Sequence, residues 1–392
     1  MSAFPLRFEL PDSQACAYAG AGHRRFERLA VSSVFGDPLD RGTWSGAPYN
    51  VIRSLQKLGI AAEGIHSGFS RGERALLGVH YLMQGYGRPP SGEALLRIRV
   101  ARQRAAEQLA SIARRRHIRH ILHTGTLDLP MQPCRELVHY LYCDHTWALS
   151  LPYRPAREAY STSAVEEFDQ LEREALRNVE HVFTFGAYVR EHMISHYGLA
   201  PDRVTAVGSG MGQIEPYAGA KDYTRPDLLF IAKHLFMAKG GGMVIEAFRL
   251  ARQQRPDLTL TIVGDKRSRA YIPALPGIRV FDHLPWRELQ RLLRMSTMLV
   301  QPMLNDPWGQ VYLEALLSRT PVIGLHRNGL PEILEDGRHG FLVTEEKPAA
   351  VAEAILDALA DPLRLSAMGL SGQRHVLQTY SWDRVAQAMA SL

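Results

Sequence analysis

The sequence predicts an α/β protein built from two doubly wound, Rossmann-like domains that face one another across a cleft. Three observations carry this expectation. Short apolar runs bounded by turn residues alternate with amphipathic stretches, the pattern of strand and helix units in a parallel sheet. The pattern breaks at residues 214–226, where Pro216, Gly219 and Pro226 interrupt the periodicity, and then restarts. The 392 residues exceed what one hydrophobic core supports, so two domains are expected, 1–213 and 214–380.

In the first half, residues 29–35 read as a strand and 49–58 carry apolar residues at helical spacing. Segments 118–123 and 137–143 read as strands, 164–178 as a helix and 181–185 as a further strand. A helix over 188–197 ends at Gly198, and a short strand over 204–207 precedes Gly208-Ser209-Gly210-Met211-Gly212, which reads most simply as a hinge. In the second half, strands are expected at 228–232, 258–263, 297–302, 321–324 and 340–343, with helices at 243–253, 311–317 and 349–359. Open parallel sheets bind ligands beyond the carboxyl ends of their strands, so the loops after these strands are where a site is sought.

Composition narrows the function classes. With 46% apolar and 22% charged residues, and no apolar run near the roughly 18 to 20 residues of a membrane span, the chain reads as globular. The first 22 residues lack a basic segment followed by an apolar one, so no secretory signal is read there. Three cysteines, Cys16, Cys134 and Cys143, form neither a disulfide framework nor a local zinc motif, which fits a reducing cytoplasm. The net charge of +6 is uneven, with Arg97, Arg99, Arg102, Arg104, Arg114, Arg115, Arg116 and Arg119 close together. Nucleic acid is not expected, because these arginines lack interleaved aromatics. With Leu95, Leu96, Ile98 and Val100 they suggest a peripheral contact with anionic lipid at the inner membrane face; the other reading is a solvated basic helix.

The segment Asp306-Pro307-Trp308-Gly309-Gln310-Val311-Tyr312-Leu313-Glu314 carries the most chemistry. A loop here follows a strand and opens a helix, so the amides of Gly309, Gln310 and Val311 are unpaired within the helix and attract phosphate. Glu314 lies about five residues on, roughly 7 Å along a helix axis, the offset between a diphosphate and ribose hydroxyls. A carboxylate there accepts both hydroxyl protons. Taken alone, Glu314 reads equally as a solvated helix carboxylate, and Asp306 as an acid favoured by the helix dipole.

Together with Thr320-Pro321-Val322-Ile323 and Gly329-Leu330-Pro331-Glu332-Ile333, this segment resembles the signature of family 4 glycosyltransferases of the GT-B fold, which has two glutamates eight positions apart. Here the first is Asp306 and the second is Glu314. The likeness runs over about residues 165–385, and Lys233 and Lys239 look like the family's two loop cations, the first usually an arginine. Lysine at 233 keeps the charge but loses the bidentate fork.

The resemblance implies transfer of a sugar, with retention, from a nucleoside-diphosphate sugar to a hydroxyl acceptor, in glycan, polysaccharide or glycolipid synthesis. It implies that Lys233 and Lys239 neutralise the departing diphosphate. Asp306, with the backbone at Trp308 and Gly309, would hold the sugar, and Glu314 the ribose. In the first domain, Ser45 and Gly46 look like the family's glycine loop, and His145 like a histidine facing the donor sugar, with His139 the weaker match. Residues 381–392 look like the helix that returns to the first domain in this fold. No Asp-x-Asp is present to bridge a cation and a diphosphate, so metal-independent transfer without a further cofactor is expected.

Three rivals remain. A nicotinamide dehydrogenase would need a Gly-x-Gly-x-x-Gly turn that the chain lacks. A catalytically weak sugar-nucleotide sensor would tolerate the departures at Asp306 and Lys233. A phosphorylase of similar fold would carry a lysine-bound pyridoxal group. The base, the sugar and the acceptor are not spelled out, and residues 71–119 of the acceptor-side domain match no pattern.

Overall fold

The computed structural model describes residues 26–87, 89, 91–153, 160–212, 214–232 and 235–392. The first domain holds six parallel strands: β1 (Arg28–Ser33), β2 (Ala61–His66), β3 (His120–Thr124), β4 (Val138–Cys143), β5 (His181–Thr184) and β6 (Val204–Ala206), in the order β2-β1-β3-β4-β5-β6. The second holds β7 (Asp227–Ile231), β8 (Thr259–Val263), β9 (Ile278–Phe281), β10 (Met298–Val300), β11 (Val322–Leu325) and β12 (Gly340–Val343), in the order β12-β11-β10-β7-β8-β9, also parallel. Strand order reverses between β1 and β3 and again between β7 and β10. These reversals open the crevices in which doubly wound sheets hold ligands.

Ten of the twelve strands coincide with apolar runs in the sequence. The other two were hidden for separate reasons. Glu63 and Gly64 break the apolar run of β2, where Glu63 accepts from Arg28 and Arg116 at the sheet edge. β9 is an edge strand whose Arg279 and Phe281 face outward, so it alternates instead of forming a run.

The arginine-rich stretch corrects the sequence reading. It forms helices Ala94–Arg97 and Arg99–Arg115, but Leu96 and Ile98 are buried in the core with Trp147 and Phe168, so they are not an apolar face for lipid. Arg97 and Arg102 are buried too. Arg102 donates to the carbonyls of Arg97 and Thr126, and Arg97 pairs with Glu93. Arg99, Arg114 and Arg116 pair with Glu174, Glu136 and Glu63, which consumes much of the local positive charge. Among the described residues no helix is long and apolar enough to cross a membrane.

The two domains share a continuous core. Phe185 of the first and Trp308 of the second meet edge to face at 6.0 Å. The helix Trp382–Ala390 packs on helix Ala47–Lys57 with Val385, Ala386 and Met389 buried, and Asp383 accepts from Ser54 at 2.6 Å and Lys57 at 3.0 Å. The glycine-rich loop before residue 214 is packed rather than loose. Gly210 lies under the indole of Trp382, where an added Cβ would sit 2.2 Å from a ring carbon, and Trp382 donates to the Met211 carbonyl at 2.8 Å.

Candidate functional site

The loops that follow β7 and β10 flank the switch point of the second sheet, and they clasp each other. The amides of Leu304 and Asn305 both donate to the Ala238 carbonyl, at 2.8 and 3.1 Å. Gln301 locks the same junction, accepting from the Ile231 amide at 3.0 Å. Gly240 permits the approach: it has φ +88°, and a Cβ there would lie 2.1 Å from the Pro302 carbonyl oxygen.

This clasp sets Lys239 against Asp306 as a partly buried ion pair. The cation assigned to phosphate and the acid assigned to sugar are therefore held together at one point of the crevice. Asn328 fixes the loop further by donating to the Asp306 carbonyl at 3.0 Å, and the Gly329 amide donates to the Pro307 carbonyl at 3.0 Å. Gly329 carries no Cβ because the ring of Trp308 fills that position, 2.4 Å away. Trp308 is thus buried as a wall of the crevice, and among the described residues its indole nitrogen has no hydrogen-bond partner.

Gly309, at φ +74°, starts the helix Gln310–Leu317, and no side chain caps it. The first amides of that helix are left for a ligand at the mouth of the crevice. Glu314 sits on the second turn, half-buried, with its carboxylate against Gly212 of the first domain, where a Cβ would fall 2.5 Å from Oε1. Lys233 lies outside the described residues.

On the opposite wall, the loop after β1 turns through three left-handed residues, Trp44, Ser45 and Gly46, with φ of 44°, 54° and 81°. Gly46 then starts helix Ala47–Lys57, also without a side-chain cap. Trp44 packs on Phe185 at 5.2 Å, so rings run from this loop through Phe185 and Trp308 to Tyr380, 5.8 Å beyond.

His145 follows β4 and stands 6.5 Å from the ring of Tyr188. His139 belongs elsewhere: it is buried in a chain with His123 at 2.9 Å and, beyond it, Asp128, also at 2.9 Å. Burial and the neighbouring His123 push the His139 imidazole down to about 3, so it stays neutral.

Three residues outside the expected set shape the site. Burial pushes the Asp144 carboxyl up to about 7, the charge of Asp306 adds to the effect, and a hydrogen bond from Trp44 opposes it. Tyr188 donates to the Asp144 carbonyl at 3.0 Å and to the Pro307 carbonyl at 2.7 Å, bridging the domains. Glu332 reaches from the second domain to accept from the amides of Ala187 and Tyr188, at 2.8 and 2.9 Å, at the start of helix Ala187–Ser195. Glu332 was visible only as part of a motif, because its partner is a backbone in the other half of the chain.

Residues 225–361 match the family described as Glycosyl transferases group 1. The matched segment spans β7 to β12, and over it the chain is similar to these glycosyltransferases. Alpha-maltose-1-phosphate synthase of Mycolicibacterium smegmatis is 27% identical over 249 residues, which cover 55% of this chain and 63% of that protein. The chain therefore spans less than two thirds of that relative's length. Among solved structures, the sucrose-phosphate synthase (tll1590) of Thermosynechococcus elongatus superposes with a TM-score of 0.69 at 17% identity, covering 93% of this chain and 97% of that one. Anabaena Alr3699/HepE in complex with UDP-glucose superposes with a TM-score of 0.60 at 13% identity, covering 93% and 100%. The chain thus has the GT-B fold, with two parallel six-stranded sheets meeting at the crevice.

Proposed function

We propose that this chain is a family 4 glycosyltransferase that moves a sugar from a nucleoside-diphosphate donor to a hydroxyl acceptor, with retention of configuration and without a metal ion. One observation carries the reading: the uncapped start of helix Gln310–Leu317, the Lys239 and Asp306 pair and Glu314 converge at the β7/β10 switch point. Helix amides and Lys239 supply positive potential where the diphosphate leaves, which is where charge develops during transfer. Glu314 supplies acceptors for two ribose hydroxyls.

The carboxylates divide the donor between them. Asp306 lies in the loop and Glu314 on the second turn of the helix, so they address sugar and ribose separately instead of flanking one bond as glycosidase carboxyls do. In this reading the leaving phosphate oxygen takes the acceptor's proton on the same face, and no enzyme nucleophile is required. His145 and the Ser45-Gly46 turn form the first-domain side, where His145 meets the sugar. Lys233 adds a second cation. The Anabaena protein's UDP-glucose complex supports a nucleotide-sugar donor for a crevice of this shape.

The test is a panel of UDP-, GDP-, ADP- and dTDP-sugars with cell-derived acceptors, reading released nucleotide in chelator. Release that persists in chelator supports the proposal. Donor binding with no release, acceptors included, turns the reading into that of a sensor, and strict magnesium dependence overturns the metal-free step.

A further inference from the structure

The sequence holds no local zinc motif, but the fold gathers one from distant parts of the second domain. Among the described residues, ligand atoms of Glu335, His339 and His375 all lie within 4.8 Å of one another. Glu335 Oε2 is 3.0 Å from His339 Nε2, and Glu335 Oε1 is 3.1 Å from His375 Nδ1. Two ligands of a tetrahedral zinc ion at about 2.0–2.1 Å stand about 3.3 Å apart, so both Glu335–histidine distances are close to a coordinating arrangement, and the remaining separation, within 4.8 Å, shortens on binding.

We propose that Glu335, His339 and His375 bind zinc, or a borderline first-row divalent cation like it, through three protein ligands with a fourth position open to water. Two imidazoles and one carboxylate form a known zinc donor set, which also suits other first-row ions. The outer shell fits. His339 Nδ1 lies 3.0 Å from Ser371 Oγ, the support a metal-bound imidazole takes through its second nitrogen. His339 and His375 are 3% and 11% exposed, while Glu335 at 31% leaves a path for water and ion.

The backbone sets the carboxylate in place at a cost. Glu335 and Asp336 are consecutive non-glycine residues in the left-handed region, with φ of 44° and 51°, followed by Gly337 at 97°. Arg338, which also pairs with Glu335 at 3.1 Å, is largely exposed and free to swing into solvent when a cation binds. Such an ion would tie the turn that follows Glu332, the residue gripping the first domain, to helix Pro362–Thr379. His375 in turn lies 5.5 Å from the ring of Tyr380, which meets Trp308 in the crevice wall.

The experiment is titration of the full chain with Zn2+ against a chromophoric chelator, with Co2+ absorption reporting geometry. It needs no donor, so its outcome is separate from that of the transfer assay. One equivalent of Zn2+ is expected, with affinity falling at least about 100-fold in His339→Asn and His375→Gln, and about 10-fold in Ser371→Ala. His339→Cys, which keeps a ligand, should retain binding, and His196→Asn, at a separate His–Asp pair, should leave stoichiometry unchanged. Circular dichroism checks that each variant is folded. Absence of a bound equivalent in the unaltered chain overturns the proposal, as does an equivalent that survives in both His339→Asn and His375→Gln.

Discussion

At the residue scale, Glu314 and Asp306 make separable predictions. A carboxylate accepting from ribose contributes about 1.5–3 kcal/mol through charge-assisted bonds, so Glu314→Ala should weaken every nucleotide donor alike, by about 10- to 150-fold in Kd. Calorimetry with several donors checks this, and a loss confined to one sugar would count against a ribose contact. Asp306 already engages Lys239, so a longer side chain moves both the acid and its cation. Asp306→Glu should therefore change the ratio of kcat/KM between donors; an unaltered ratio removes the sugar assignment.

Asp144 and His139 give the pH dependence of stability, and their signs are opposite. The Asp144 carboxyl titrates near 7 in the folded chain, above its unfolded value, so its contribution is present at low pH and lost as pH rises through about 7. His139 is depressed to about 3, so stability is lost as pH falls below the ordinary histidine range toward that value. Denaturant unfolding of Asp144→Asn should show less loss between about pH 4 and 7 than the unaltered chain. Parallel curves would remove Asp144 from the account.

At the element scale, the crevice depends on two loops approaching more closely than side chains allow. Gly240→Ala places a Cβ within van der Waals distance of the Pro302 carbonyl and a left-handed φ on alanine. It should lower Tm by several degrees and weaken donor binding together, since the same clasp positions Lys239. Unchanged melting would show that the clasp yields. Helix Gln310–Leu317 was legible because its glycine start, apolar face and carboxylate lie in one run of sequence. The first-domain helices Arg71–Met83 and Arg99–Arg115 were not, because their apolar positions meet partners scattered over residues 34–171.

At the scale of the whole molecule, polar contacts between the domains add to their shared core. Glu332 satisfies two helix amides from the other domain, and Tyr188 bridges the Pro307 and Asp144 carbonyls. Glu332→Ala should shift the chain toward an open form, read as a larger radius of gyration by small-angle scattering, with little change in the secondary structure of either domain. An unchanged radius would mean that the aromatic contacts through Phe185 and Trp308 hold closure alone. Truncation after residue 380 uncovers the face of helix Ala47–Lys57 that Val385, Ala386 and Met389 bury, so stability should fall together with activity.

The sequence by itself determined the α/β class and offered the run from Asp306 to Glu314 as the place to seek a site, because strand burial and helix starts are written in neighbouring residues. It did not separate the buried arginines 97 and 102 from the exposed ones around them, since a basic helix at a surface and one pinned by buried carbonyls have the same local composition. Only the tertiary structure decided the pairing of Lys239 with Asp306, the grip of Glu332 on Ala187 and Tyr188, the environment of Asp144 and the gathering of Glu335, His339 and His375. Each of these joins residues far apart in the chain, and their energies depend on distance and burial that no local pattern encodes.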